Sequence, residues 1–247
     1  MSAITCRMCK VSRDLTGRQE SEHYVLETIG KHGGQSSCSM LAGMARLREA
    51  QKEMTRRLLL DAGLDLFVSK GYATTTVDDI ASAAGTTRVT FYAYFPSKVD
   101  LMKALISERL NAALDRVPSA EHGSTERELV AVVEDGSRER IRAWLASTSE
   151  RWDAIRPYTT AAYEAAAVDP EIRTLLDEWL NEAIGDIRDG LDRAERFPAA
   201  TRHFRGVIAM TELDYTARHW TPGTWGVGHD EMLDVLTESW VGSIGRH

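Results

Sequence analysis

Side chains that can contact a polyanion are concentrated in the stretch TTRVTFYAYFPSK, residues 86 to 98. An arginine can pair with the edge of a guanine, and the hydroxyl groups of threonine and tyrosine can donate to phosphate oxygens. On a helix, Phe91 and Phe95 share one face, whereas Arg88 and Tyr92 share another. The stretch therefore predicts a short helix with an aromatic inner side and an outer side that can contact nucleic acid.

Two short helices are predicted to position these side chains. Thr87 is a good N-cap for the second helix, and Pro96 ends that helix after about two turns. Upstream, Thr76 and Asp79 have the spacing of a capping box, and Gly85 ends the first helix after about two turns. Two short helices joined by a tight turn that contains glycine are typical of a helix-turn-helix, whose second helix enters the DNA major groove.

Longer helices are predicted on both sides of this pair. The preceding helix begins near Arg46 and ends at Lys70 and Gly71. Its apolar stripe has i+4 spacing: Met54, Leu58, Ala62 and Leu66, widened by Leu59 and Phe67. The following helix is capped by Ser97. Beyond Pro118 the pattern stays helical, with the last two helices near residues 199–220 and 229–244, so the predicted fold class is all-α.

The stretch from residue 71 to residue 106 resembles the DNA-binding domain of the tetracycline-repressor (TetR) family. The family pattern reads Gly-aromatic, Thr-Thr-Val, Ile-Ala, Ala-Gly, Thr-Phe-Tyr, Tyr-Phe and Ser-Lys. It occurs here as Gly71-Tyr72, Thr75-Thr76-Val77, Ile80-Ala81, Ala84-Gly85, Thr90-Phe91-Tyr92, Tyr94-Phe95 and Ser97-Lys98. Val89 departs from the pattern, because a small residue is common there, and so does Thr86, where an apolar residue is usual. Both departures concern which operator sequence is read.

This resemblance implies an N-terminal three-helix helix-turn-helix domain, residues 45–105, and a C-terminal helical ligand-binding and dimerisation domain, residues 106–247. It also implies a homodimer that binds a palindromic double-stranded DNA operator, most often as a repressor, and is released by a small-molecule effector. A cytoplasmic location is expected separately, because the three cysteines make no disulfide framework. Two alternatives stay open: a helical interaction protein whose helix-turn-helix is only a scaffold, and a helical enzyme. No Ser/His/Asp set, HExxH motif or nucleotide fingerprint supports an enzyme.

Three groups of side chains are predicted as site residues. The DNA-binding group is Thr75, Thr76, Thr87, Arg88, Val89, Thr90, Tyr92, Ala93, Tyr94 and Lys98. The ligand-pocket group is Trp144, Trp152, Tyr158, Tyr163 and Trp179, and the dimer-interface group is Val207, Met210, Leu213, Leu233, Leu236 and Trp240. In the first group, Arg88 is expected to contact bases, Val89 and Ala93 a thymine methyl, and the hydroxyl groups and Lys98 phosphates.

The charge of the chain is distributed unevenly. The formal net charge is -7, yet residues 41–103 carry nine Lys and Arg against seven Asp and Glu. Residues 104–247 carry sixteen Arg and no Lys against twenty-six Asp and Glu. A mildly basic segment can contact a polyanion while an acidic body keeps the protein in solution.

The N-terminal residues 1–44 are expected to be a disordered extension, with a flexible linker at residues 30–39. A start codon placed too far upstream would also explain the segment. The three cysteines, Cys6, Cys9 and Cys38, do not make a disulfide framework. Cys6 and Cys9 form a CxxC, but no set of four ligands has the spacing of a zinc site, so neither a metal nor a cofactor is predicted. No apolar run is long enough for a membrane span or an export signal.

Overall fold

The computed structural model describes residues 34–114, 117–119, 123–125 and 127–246. The first helices are α1 (Gly34–Lys70), α2 (Val77–Ala83), α3 (Arg88–Tyr94), α4 (Lys98–Ala104) and α5 (Asn111–Ala113), and a π-helical turn (Leu105–Leu110) joins the last two. The later helices are α6 (Arg127–Asp135), α7 (Arg138–Ser149), α8 (Trp152–Val168), α9 (Pro170–Arg193), α10 (Ala199–His219) and α11 (His229–Ile244). A 3-10 turn (Thr224–Gly226) precedes α11. The all-α class is confirmed.

The chain falls into two units that divide within α1, after Glu49. In the first unit, residues 34–44 are helical, so the prediction of a disordered extension is wrong for these residues. The physical reason is composition: no proline occurs between residues 34 and 70, and residues 40–50 are rich in Ala, Leu, Met, Arg and Glu. The rest of the extension lies outside the described residues.

The second unit begins at Ala50 and contains both the short helices and the later ones. Its first element, the rest of α1, buries Leu59 and Phe67, whereas Met54 is 57% and Leu58 46% exposed. The predicted i+4 stripe is therefore wrong at its N-terminal end. Gly63 explains the choice of face, because a Cβ atom there would lie 2.7 Å from a methyl group of Leu101. The helix meets α4 at the face where glycine permits close approach.

A two-stranded antiparallel pair interrupts the helices after α5. Strand β1 (Val117–Ser119) pairs with β2 (Gly123–Thr125), with Pro118 opposite Ser124. The expectation of helix throughout the region beyond Pro118 is wrong here. A proline inside a helix removes a backbone donor, and the nearby glycine also disfavours helix.

A continuous helical segment connects the short helices to the later ones. It consists of α4, the π-helical turn and α5. The Arg56 guanidinium on α1 donates to both carboxylate oxygens of Glu108, at 2.6 and 2.8 Å, and Arg109 reaches Asp61 at 3.3 Å. These pairs hold α1 against the π-helical turn. The predicted domain boundary at residues 105–106 falls inside this segment, and the division into two functional domains stays a prediction.

Helix α9 is the centre of the later helices and packs against α6, α8 and α10, while α11 packs against α7 and α10. It begins at Pro170, where the Asp169 carboxylate accepts from the backbone amides of Glu171 and Ile172. Gly190 lets α6 approach closely, since a Cβ atom there would lie 2.7 Å from the Val130 carbonyl oxygen. The indoles of Trp144 and Trp240 stack at 5.3 Å and join α7 to α11.

Candidate nucleic-acid interface and interior cavity

The predicted capping box at the start of α2 is present. The Thr76 hydroxyl oxygen accepts from the Asp79 amide at 3.1 Å, and the Asp79 carboxylate accepts from the Thr76 amide at 2.9 Å. The Lys70 ammonium also donates to Asp79 at 2.6 Å. This lysine, together with the Thr76 donors, lowers the pKa of Asp79 to about 2. The end of α1 and the start of α2 are therefore joined by one charged, capped corner.

The turn and helix α3 have the predicted geometry. Gly85 takes a positive φ of 65°, a conformation that costs glycine little. The Thr87 hydroxyl caps α3 by accepting from the Thr90 amide at 3.2 Å. Phe91 and Phe95 are both buried, and their ring centroids are 5.9 Å apart. The predicted aromatic inner side of the helix is confirmed, and it anchors α3 to the core.

The outer side of α3 presents a compact set of exposed side chains. Val89 is 81% and Tyr92 44% exposed, and Arg88 and Ala93 are exposed with them. The Arg88 guanidinium lies 3.1 Å from the Asp78 carboxylate, 3.4 Å from the Tyr92 hydroxyl and 5.6 Å from the centroid of its ring. We define the outer face of α3 as Arg88, Val89, Tyr92 and Ala93. Its one arginine is held over an aromatic ring but stays accessible.

Other members of the predicted DNA-binding group differ in exposure. Thr76 and Thr87 are exposed, but both hydroxyl groups serve as helix caps. Thr90 is half-buried, and its hydroxyl lies 3.0 Å from that of Thr87. Tyr94 is half-buried and packs against the core. The contact between Asp78 and Arg88 was missed by the sequence reasoning, because an acidic side chain ten residues before an arginine gives no periodic signal.

Thr75 and Lys98, two predicted phosphate contacts, bond to backbone carbonyls within the chain, and their contact with DNA stays a prediction. Thr75 is buried, and its hydroxyl donates to the Gly71 carbonyl at 2.8 Å. The Lys98 ammonium donates to the carbonyls of Tyr72 and Thr75, at 2.7 and 2.9 Å, and lies 4.2 Å from the Tyr72 ring centroid. Burial lowers the pKa of Lys98. Both side chains donate to backbone carbonyl groups at the corner between α1 and α2.

An interior cavity of about 70 Å³ lies among the later helices. Its lining side chains come from α6 to α10 and from the end of α5: Leu114, Leu129, Trp144, Thr148, Trp152, Ile155, Thr159, Trp179, Ala183, Met210, Leu213, Asp214, Ala217 and Arg218. Three predicted pocket residues, Trp144, Trp152 and Trp179, are among them. Tyr158 and Tyr163 do not line it, and their place in a ligand pocket stays a prediction.

A charged cluster forms the polar part of the cavity wall. The Asp214 carboxylate accepts from the Tyr163 hydroxyl at 2.8 Å and from Arg218 at 2.9 and 3.1 Å. The Arg218 guanidinium lies 3.9 Å from the centroid of the Tyr163 ring. Burial and the neighbouring carboxylate of Asp214 raise the pKa of Tyr163. The sequence reasoning missed Asp214 and Arg218, although their i,i+4 spacing is typical of an ion pair on a helix.

The predicted dimer-interface group is mostly buried within the chain itself. Five of its six side chains are buried: Met210, Leu213, Leu233, Leu236 and Trp240. These side chains lie on the inward faces of α10 and α11, which pack against α7 and α9, and their role in a dimer interface stays a prediction. Val207 is half-buried and stays a prediction.

Other site predictions concern metals and membranes. Across the described ranges, no group of three or more His, Cys, Asp or Glu side chains could hold a metal ion. Cys6 and Cys9 lie outside those ranges. None of the helices that the structure describes has the length and apolar character required to cross a bilayer.

The sequence model of the bacterial regulatory proteins of the tetR family matches residues 59–105. The HTH-type transcriptional regulator SrpR of Pseudomonas putida is 39% identical over 66 residues, which are 27% of this chain and 31% of SrpR. The chain thus covers less than a third of that relative, and the family model matches the end of α1 together with α2, α3 and α4.

Solved structures extend the similarity to the later helices at the level of the fold. A TetR-like transcriptional regulator from Rhodococcus sp. RHA1 has a TM-score of 0.55 at 19% identity, covering 78% of this chain and 97% of that one. The transcriptional regulator FadR from Bacillus subtilis, solved in complex with stearoyl-CoA, has a TM-score of 0.52 at 17% identity, covering 76% and 98%. Residues 59–105 are thus similar to the bacterial regulatory proteins of the tetR family, and the solved structures show that the later helices have a similar fold.

Proposed function

We propose that this chain is a homodimeric, ligand-responsive transcriptional regulator, acting as a repressor, that binds a palindromic DNA operator and is released by a small molecule. The observation that carries the proposal is the outer face of α3. It places an arginine, an exposed valine and a tyrosine on one side of a two-turn helix whose opposite side is anchored by Phe91 and Phe95. A helix so held can enter a major groove as a rigid body.

Each member of the outer face of α3 has a chemical role in this proposal. Arg88 exchanges its exposed contact with Asp78 for the O6 and N7 atoms of a guanine. Breaking the pair with Asp78 costs little free energy, since exposed ion pairs contribute about 0–1 kcal/mol to stability. Val89 and Ala93 contact a thymine methyl, and Tyr92 donates to a phosphate. Lys98 is left out, because its ammonium is occupied by backbone carbonyls.

The dimer surface in this proposal is the outward side of α10 and α11, in place of the buried residues named above. Phe204, Ile208 and Tyr215 are exposed along α10, and Val235 is exposed on α11. The α10 residues recur at spacings of four and seven, which puts them on one helix face. A helix face with large exposed apolar side chains is typical of an interface between proteins.

The effector site in this proposal is the interior cavity. FadR of Bacillus subtilis was solved with stearoyl-CoA, which supports a ligand site in a fold of this kind. A cavity of about 70 Å³ is smaller than the roughly 300–1,000 Å³ of ordinary ligand pockets, so binding must move the surrounding helices. An effector that binds the DNA-free form better by about 1–3 kcal/mol would shift the equilibrium toward release.

The test is the binding of the purified protein to the DNA upstream of its own gene, measured by fluorescence anisotropy at several salt concentrations. Arg88→Ala should weaken binding about 5- to 150-fold, which corresponds to 1–3 kcal/mol for a bidentate base contact. Tyr92→Phe should weaken it several-fold. Arg138→Ala is the matched control, since Arg138 is an exposed arginine on α7 that pairs with Glu238.

Unchanged binding in both α3 variants would contradict the assignment of α3 as the reading helix. Flat DNA titrations with an intact dimer would favour instead the helical interaction protein with a scaffold helix-turn-helix. Turnover of a bound metabolite by the purified protein would favour the alternative hypothesis of a helical enzyme.

A further inference from the structure

Trp152 lines the interior cavity, and its indole N–H is a buried hydrogen-bond donor. The side chain is 2% exposed, and among the described residues no acceptor bonds its Nε1 atom. Buried donors in proteins nearly always have a protein or water partner, because leaving water without one is costly. A molecule that supplies an acceptor to this N–H would make a hydrogen bond that none of the described residues makes.

Two neighbouring polar groups of the wall, those of Trp179 and Thr159, are already bonded. Trp179 donates through Nε1 to the Asn111 side-chain oxygen at 2.8 Å. The Thr159 hydroxyl donates to the Arg156 carbonyl at 3.1 Å. The unsatisfied donor of Trp152 therefore differs from these groups, and a ligand needs only one acceptor to satisfy it.

The charged groups of the wall disfavour an ionised ligand. Asp214 and Arg218 neutralise each other, and the Tyr163 hydroxyl occupies a further position on the Asp214 carboxylate. An anion or a cation would have to leave water for a site where the facing opposite charge is already paired. Burying such a charge is far more costly than burying a neutral acceptor.

The size and lining of the cavity favour a compact aromatic molecule. Its volume of about 70 Å³ is below the roughly 150 Å³ of a cavity that accepts benzene, so some side chain must move. Met210 lines the cavity, and methionine is the side chain that adapts most easily to a new neighbour. The indoles of Trp144, Trp152 and Trp179 offer flat apolar surface to a ring.

We infer that the cavity binds an uncharged molecule built on a single aromatic ring, which carries one hydrogen-bond acceptor that the Trp152 N–H contacts. The inference rests on the proposed function, in which the cavity is the effector site. It adds the chemical class of the effector and names the residue that selects it.

The test compares two probes of the same shape, acetophenone and α-methylstyrene, in which a carbonyl oxygen replaces a methylene group. Isothermal titration calorimetry on the full chain should show acetophenone binding about 10-fold more tightly, and benzoate and benzylammonium binding more weakly than acetophenone. Trp152→Phe keeps an aromatic wall but removes the N–H, so the preference should fall below about 2-fold. Trp240→Phe is the matched control, because Trp240 also has a buried N–H for which the described residues supply no acceptor, but it does not line the cavity.

Equal binding of the two neutral probes to the wild-type protein, no binding of acetophenone, or tighter binding of either ion would overturn the inference. So would a preference that survives in a folded Trp152→Phe variant. If that variant unfolds, the wild-type comparison alone decides. Operator binding measured on the same samples without a probe separates the two proposals. If DNA binding is intact but acetophenone does not bind, only the inference about the effector is contradicted. Absent DNA binding contradicts the proposed function itself.

Discussion

The outer face of α3 collects its side chains within two helical turns, whereas the wall of the interior cavity collects its side chains from five helices and the end of a sixth. In α3, neighbours on the helix surface are three or four residues apart in sequence, so their spacing reveals the face. In the cavity, residues as distant as Leu114 and Arg218 share one wall. A surface built on one helix can be predicted from a motif, but a cavity depends on how whole helices pack.

The largest effect expected from this comparison lies between the two sides of α3. Phe91→Ala should lower the free energy of unfolding by about 3–5 kcal/mol, because the buried ring leaves a cavity against the core. Val89→Ala, on the exposed side, should change it by less than about 0.5 kcal/mol. Urea unfolding followed by circular dichroism measures both values. Equal destabilisation by the two changes would show that α3 has no distinct inner side.

A second contrast concerns the faces of α11. Trp240 is buried and stacks on Trp144, so Trp240→Ala should lower the free energy of unfolding by about 3–5 kcal/mol. Val235→Asp, on the outward face, should instead weaken association of the two copies in sedimentation, since it places a charge in the proposed dimer surface. A stable Trp240→Ala monomer would mean that this tryptophan belongs to the interface after all, as the sequence suggested.

Local features of the DNA-binding segment were predictable because each depends on residues a few positions apart. The caps at Thr76, Thr87 and Ser97 are present, and so are the end of α1 at Lys70 and the helix break at Pro96. In each of these caps, a hydroxyl oxygen meets a backbone amide three residues ahead, and such pairs form whenever the helix forms. The motif was therefore sufficient to predict where α2 and α3 begin and end.

Side-chain directions that depend on distant partners were not predictable. Lys98 points to carbonyls 23 and 26 residues upstream, which the corner between α1 and α2 brings beneath it. Likewise, α10 and α11 carry apolar residues on more than one face, and the burial of Leu213 and Leu236 was decided by the surfaces that α7 and α9 supply. The cavity wall has no sequence signature for the same reason. Only its tryptophans could be proposed, from their type.

A third prediction tests whether Lys98 belongs to the structure or to the DNA contact. Lys98→Met should lower the free energy of unfolding by about 1–3 kcal/mol, because two carbonyls lose a charged donor. The salt dependence of DNA binding should stay the same. Lys103→Met is the control, since its exposed pair with Glu171 should contribute no more than about 1 kcal/mol. A salt slope reduced by about one, without lost stability, would restore Lys98 to the phosphate contacts.

The smallest expected effect is the acid sensitivity of the corner before α3. The pKa of Asp79 is lowered from 3.8 to about 2 by Lys70 and Thr76. A lowered pKa in the folded state means that the carboxylate stabilises the fold above about pH 4, and that this contribution is lost as the pH falls toward 2. Thermal melts of wild type and Asp79→Asn should therefore differ most at pH 5 and converge toward pH 2. Asp78→Asn, which changes the charge equally but keeps the capping box, should retain that acid-dependent loss. A wild-type advantage over Asp79→Asn that persists undiminished at pH 2 would show that the capping box works through hydrogen bonding alone, with no contribution from the charge.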